Sequence, residues 1–129
     1  MIDAHFEAFE TEIISDPLVI FTDLYRFYTS RETGYVKGEI TFIDGSFLVV
    51  FQHVRIEAEE LTVTDYRYHY MTAENKLIFR YDNAPHYPRM DTFPHHKHLP
   101  SVVQDATMPS PKDFLAEIDS IVIGQITRG

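Results

Sequence analysis

Ile40-Thr41-Phe42-Ile43-Asp44-Gly45-Ser46-Phe47-Leu48-Val49 is the stretch that decides how this chain folds. Two runs of β-branched and aromatic residues meet at Asp44-Gly45, a dipeptide suited to the positive-φ positions of a tight hairpin turn. With Asp44 and Gly45 as a two-residue loop, Phe42 opposes Phe47 and Ile40 opposes Val49, while Lys37 and Glu39 fall on the other face. One face of this hairpin then packs inward and the other is mixed.

A second hairpin follows. Tyr66, Tyr68 and Tyr70 alternate with Asp65, Arg67 and His69, and a second alternating run extends from Lys76 to Asp82. With Thr72-Ala73-Glu74-Asn75 as the loop, Tyr68 faces Phe79, Tyr66 faces Tyr81, Arg67 faces Arg80 and Asp65 faces Asp82. The tyrosine row suits either a core or a base-stacking surface, and Leu77 and Phe79 across from it favour the core. Upstream, the β-branched and aromatic pattern from Leu18 to Ser30 predicts a first strand.

Helices close both ends. Ile2, Phe6, Phe9 and Ile13 recur at helical spacing among acidic residues, predicting an amphipathic helix that stops before Asp16-Pro17. Ser110-Pro111 reads as an N-cap and first helical position, with Asp113 at the positive end of the dipole. Phe114, Leu115, Ile118, Ile121 and Val122 form its apolar stripe, for a helix from about Ser110 to Ile123. The predicted class is α+β, an antiparallel sheet of about five strands with an N-terminal and a C-terminal helix. All 129 residues are expected to form a single domain.

Composition narrows the function. The chain has no Cys, which removes disulfides, thiolate metal sites and thiol nucleophiles, and leaves His and carboxylates as metal ligands. It shows no basic, apolar leader and no apolar run near the ~20 residues of a bilayer span, so a cytoplasmic protein with no membrane partner is expected. A net charge of -9 argues against general nucleic-acid binding, which depends on Lys and Arg neutralising phosphates. The acidity is uneven: Asp3, Glu7, Glu10, Glu12 and Asp16 lie near the start, whereas Arg80, Arg89 and Lys97 outnumber Asp82 and Asp91 between Arg80 and His98. Any RNA contact is expected in that second segment.

Four of the seven histidines lie between His86 and His98, in a Pro-rich connection running from Asn83 to Pro109. In an extended chain His96 and His98 project to one side of His95-His96-Lys97-His98, and His95 and Lys97 to the other. Three chemistries fit this pair. In metal-free RNA cleavage one imidazole takes a proton, a second donates one, and Lys97 or Arg80 offsets the phosphorane charge. In metal-assisted hydrolysis or transfer at a phosphate bond, His96 and His98 are joined by Asp82 or His86. The third is phosphate or nucleotide binding without bond cleavage. Against all three stands a surface turn whose histidines merely satisfy nearby backbone, with Arg67 and Arg80 paired to Asp65 and Asp82 on a solvated strand face.

The segment Phe79 to Leu99, FRYDNAPHYPRMDTFPHHKHL, resembles the signature of TumE-type toxins of prokaryotic toxin–antitoxin systems, an aromatic-Asp-Asn sequence followed by a His-x-His motif. The likeness covers about the last two thirds of the chain, leaving the acidic first helix outside it. It implies a small cytoplasmic toxin bound and neutralised by an antitoxin of helix-turn-helix type. It also carries over Asp82, His96 and His98, with His86 and His95 as additions. By analogy with other small toxins it implies ribonuclease action. The leading expectation is an endoribonuclease with His96 and His98 as the acid/base pair, Lys97, Asp82 and Arg80 supporting them, His86, His95 and Arg67 contacting substrate, and no cofactor. A non-catalytic interaction protein and a metal-dependent phosphate-bond enzyme using His96, His98 and Asp82 are the alternatives. Homodimerisation is left open.

Overall fold

In the computed structural model of the chain, which describes residues 1–128, Asp44-Gly45 closes a hairpin, but with three loop residues in place of two. The Phe42 N–H donates to Ser46 O at 2.9 Å and the Gly45 N–H to Phe42 O at 2.9 Å. Gly45 alone takes a positive φ, +86°, as in a type I turn followed by a left-handed residue. Asp44 instead accepts hydrogen bonds from the Ser46 N–H at 3.0 Å and Oγ–H at 2.5 Å. The extra residue corrects the expected register: Thr41 pairs with Phe47, Ile40 with Leu48 and Glu39 with Val49. Because side chains alternate, Leu48, Val50, Gln52 and Val54 face inward, and Phe47, Val49 and Phe51 turn to the other face.

The chain runs α1 (Ile2–Ile14), β1 (Val19–Tyr28), β2 (Thr33–Phe42), β3 (Phe47–Glu57), β4 (Glu60–Met71), β5 (Leu77–Asp82), β6 (His96–Leu99), β7 (Val102–Asp105) and α2 (Pro111–Arg128). The strands form one antiparallel sheet in sequential order, β1 to β7. The α+β architecture with two terminal helices is as predicted; the sheet has seven strands where about five were expected. The additional pair, β6 and β7, lies inside the His- and Pro-rich connection.

The β4–β5 hairpin also differs from expectation. Asn75, at φ +66°, ends another three-residue loop, and Tyr70 pairs with Phe79, Tyr68 with Tyr81 and Arg67 with Asp82. The shift from the expected pairing is two residues, so every side chain keeps its face.

Both helices cover the same side of the sheet. Phe6, Phe9 and Ile13 of α1 and Phe114, Ile118 and Val122 of α2 are buried with Val36, Ile40, Leu48, Val50 and Phe79. Tyr66, Tyr68 and Tyr70 belong to this core, at 3%, 1% and 0% exposure, so they cannot stack bases. Tyr68 lies 4.9 Å from Phe114 between ring centroids, and its hydroxyl accepts from Gln52 Nε2 at 2.8 Å. At the start of α2, the Asp113 N–H donates to Ser110 Oγ at 3.1 Å, and the Ser110 N–H to the Asp113 carboxylate at 3.1 Å, a reciprocal cap. No described helix is long and apolar enough to cross a membrane.

Where the end of α1 meets α2, Asp119 and Asp16 share a hollow lined by Lys112 and Leu115. Burial, then the hydrogen bond and charge of Asp16, raise the Asp119 carboxyl from its ordinary 3.8 to about 7. The folded chain thus holds this proton more tightly than the unfolded one. Its stabilising effect is complete below pH 3.8 and lost as pH rises toward about 7. Asp119→Asn removes the second charge while keeping the shape, so its Tm should exceed that of the unaltered chain at about pH 8, and the two should converge near pH 4. Thermal unfolding at both pH values checks this.

Candidate active site

β5 ends on a carboxylate that is almost wholly buried. Asp82 is 5% exposed, and such a group requires partners at both oxygens. Its Oδ1 accepts from the Ala84 N–H at 3.0 Å and lies 2.9 Å from His96 Nε2. Its Oδ2 accepts from Arg80 Nε at 2.9 Å and lies 3.4 Å from His98 Nε2. The register of β6 creates this arrangement, since His96 stands opposite Asp82 and His98 opposite Arg80. The strand alternation points both rings to the side of the sheet away from the helices, 4.8 Å apart.

The next residue anchors the strand end. Asn83 Oδ1 accepts from the Tyr66 N–H at 3.0 Å, and its Nδ2 donates to Thr64 O at 2.9 Å. Its side chain thus continues the β4 ladder where β5 has ended, beside the register shift near His53 and Val54. The Tyr81-Asp82-Asn83 run has three tasks: Tyr81 hydrogen-bonds Glu117 of α2 at 2.7 Å, Asp82 organises the histidines and Asn83 latches onto β4.

Arg80 sets the state of His98. Its Nη2 lies 3.0 Å from His98 Nε2, and a guanidinium can only donate, so Nε2 accepts and the ring hydrogen sits on Nδ1. Burial, then the charge of Arg80, push the His98 pKa below 6.5 against the opposing pull of Asp82, with His96 and His69 adding to the lowering. His98 is therefore a neutral base at pH 7, with its side chain 15% exposed. His96 differs. At 1% exposure it is sealed beneath the cluster, and its Nδ1 donates to Pro94 O at 2.9 Å. Its Nε2 is close to Asp82 but not aligned in a hydrogen bond.

The remaining residues singled out from the sequence divide by face. Arg67 and His86 line a groove of about 450 Å³ together with Phe51, Arg80 and Asp82. Lys97 and His95 do not join them. Lys97 points to the helix side, where its Nζ donates to Glu117 at 2.5 Å and lies over the Phe79 and Tyr81 rings. Burial lowers its pKa, but hydrogen bonds to Glu117 and Tyr81 outweigh this and raise it overall. Lys97, expected to offset phosphorane charge, thus lies on the face opposite Arg80 and Asp82. His95, expected to contact substrate, stacks on Tyr66 on that same side, with Nδ1 3.0 Å from the hydroxyl.

Two neighbours were not anticipated. Tyr87 packs edge-on against both rings, 4.9 Å from His96 and 5.9 Å from His98. His69, which pairs with Arg80, has its pKa lowered by burial and then by Arg80 and Arg67. Tyr87 carries no local signal beyond its place in the His-rich loop. His69 faces Arg80 only after the two-residue shift in β4–β5 pairing.

Donor atoms of Asp82, His96 and His98 all lie within 4.8 Å of one another, close enough to hold one divalent ion. Yet Arg80 donates to both Asp82 and His98, so a guanidinium already supplies positive charge to two of the three. The geometry therefore suits proton transfer beside a fixed cation better than metal ligation.

A family model described as Toxin TumE matches residues 9–126. The match reaches well beyond the motif-bearing two thirds and takes in part of the acidic first helix. No curated protein and no solved structure matches the chain.

Arg80→Gln removes the charge that disfavours His98 protonation, so the His98 pKa should rise, as followed by its ring-proton NMR shifts against pH. Asn83→Ala leaves the Tyr66 N–H and Thr64 O without their partner and should cost about 1–3 kcal/mol in urea unfolding.

Proposed function

Since the chain belongs to the TumE toxin family, and is thereby the toxin partnered by an antitoxin, we propose that it acts as an endoribonuclease centred on His98. The observation that carries this reading is a neutral, partly exposed imidazole held against Arg80 and Asp82, both of which line the groove. An RNA phosphate entering the groove draws the Arg80 Nη2 hydrogen bond to itself and frees His98 Nε2. That nitrogen then takes the proton of the adjacent 2′-hydroxyl. The 2′-oxygen attacks phosphorus, and Arg80 offsets the charge that builds on the equatorial oxygens. The bond to the 5′-oxygen breaks, leaving a 2′,3′-cyclic phosphate.

The leaving oxygen requires a proton. His96 was expected to donate it, but its burial favours a positioning role that fixes Asp82 from below. His86 is exposed and lines the same groove, which makes it the better donor. In this reading the target is cytoplasmic RNA and the antitoxin is of helix-turn-helix type.

A metal-dependent phosphate-bond enzyme is the second reading, favoured by the close Asp82, His96 and His98 donor set and by the unpartnered His96 Nε2. The two separate under chelation. Activity lost with chelator and regained with a divalent ion supports the metal reading; unchanged activity supports proton transfer alone.

Cleavage of RNA and of a uridine 3′-aryl phosphate, whose leaving group needs no proton, distinguishes the two histidines. His98→Ala should lose both reactions and relieve growth arrest, whereas His86→Ala should slow RNA cleavage by about 10²–10⁴-fold and spare the aryl ester. Undiminished cleavage by His98→Ala would overturn the assignment.

A further inference from the structure

The side of the sheet away from the helices carries a row of paired residues that crosses six strands: Tyr25, Lys37, Phe51, Arg67, Asp82 and His96. Neighbouring strands lie about 4.8 Å apart, so five steps place β1 roughly 24 Å from β6. Two hollows on this face share Phe51 and Arg67. One extends to Tyr25 and Lys37, the other to Asp82 and His86, so a trough leads from the edge strand to the candidate active site.

Beside that row is a platform of aromatic rings. Phe27 and Tyr35 are stacked with centroids 4.8 Å apart and planes 19° from parallel, and Tyr35 continues to Phe51 at 5.6 Å. Phe27 and Tyr25 remain 38% and 53% exposed. Lys37 lies over the Phe27 ring at 5.4 Å, and among the described residues neither Lys37 nor Arg67 joins an ion pair. Exposed rings on a sheet, interleaved with free cations and continuous with a phosphate-chemistry site, have the composition of a single-strand binding surface.

We infer that this face is a track for single-stranded RNA, its bases stacking on Phe27, Tyr35 and Phe51 and its backbone following Lys37 and Arg67 toward Arg80 and His98. The inference rests on the ribonuclease reading for its substrate class. Asp23, Glu39 and Asp65 share the face, so stacking supplies most of the attraction. With two free cations, log affinity should fall with log salt at a slope of only about -1.4.

The test is fluorescence anisotropy with a labelled, uncleavable 2′-O-methyl oligouridine of about eight nucleotides, enough to follow the trough. Phe27→Leu keeps the apolar character and loses the ring, and should weaken binding at least about fivefold, while Phe27→Trp should retain it. Cleavage of a dinucleotide, too short to reach β1, should be the same in both variants. Equal affinity of Phe27→Leu and the unaltered chain would overturn the track even if RNA is cleaved. Ring-dependent binding without any cleavage would leave the track standing and remove the ribonuclease reading. An oligonucleotide that does not bind, with antitoxin binding lost in Phe27→Leu, would assign the face to the protein partner and also overturn the track.

Discussion

Burial of the Asp82 carboxylate is the constraint from which the rest of the site follows. An ionised carboxylate with so little exposure persists only when its oxygens are matched by donors. Here the donors are Arg80 on the same strand and the Ala84 N–H just beyond it, and the facing histidines of β6 close over the carboxylate. Meeting that requirement pins β6 to β5 at one register. The same register leaves His98 partly exposed and seals His96. Structural need and the proposed chemistry therefore meet in one cluster, and a substitution at Asp82 would disturb the fold around it as well as that chemistry.

The sheet also separates two environments. On one side, two amphipathic helices bury aromatic rings, and Gln52 of β3 and Ser46 of the β2–β3 turn satisfy the Tyr68 and Tyr70 hydroxyls. On the other, no helix packs among the described residues, and polar, charged and aromatic residues alternate across the strands. Lys97 shows how strict the division is. It sits between His96 and His98 in sequence, yet its ammonium lies on the helix side, bonded to α2. Period-two alternation, not proximity in sequence, decides membership of the site.

That same periodicity explains what could be read beforehand. The convergence of His96 and His98, and the divergence of His95 and Lys97, follow from any extended backbone through these residues. The hairpin at Asp44-Gly45 was legible, but its register was not, because Gly45 rather than Asp44 takes the left-handed position and lengthens the loop. β6 and β7 were hidden for a different reason. The inward-facing residues at the start of β6 and just before it are Lys97 and His95, which carry no apolar pattern and are satisfied by Glu117 and Tyr66, partners distant in sequence. The alternation of the β4 tyrosines suits a base-stacking surface as well as a core. Those rings face the core, while Phe27, Tyr35 and Phe51 on the opposite face meet only through pairing across β1, β2 and β3.

The separation would also reconcile an acidic chain with the anionic substrate proposed for it. A net charge of -9 would repel RNA if spread evenly. Much of it lies in the helix layer: Glu10 of α1 is held by Arg26, Glu117 of α2 by Lys97, and Asp119 is proton-bearing up to about pH 7. Exposed charges further than about a Debye length of 10 Å are screened at moderate salt, and the sheet with its core stands between the helices and the groove. The phosphate would respond chiefly to the local field of Arg80 and Arg67, whose charges act across the open face rather than through the core. Total charge is then a poor guide to what this surface attracts, and the arrangement of charge on the two faces is the better one.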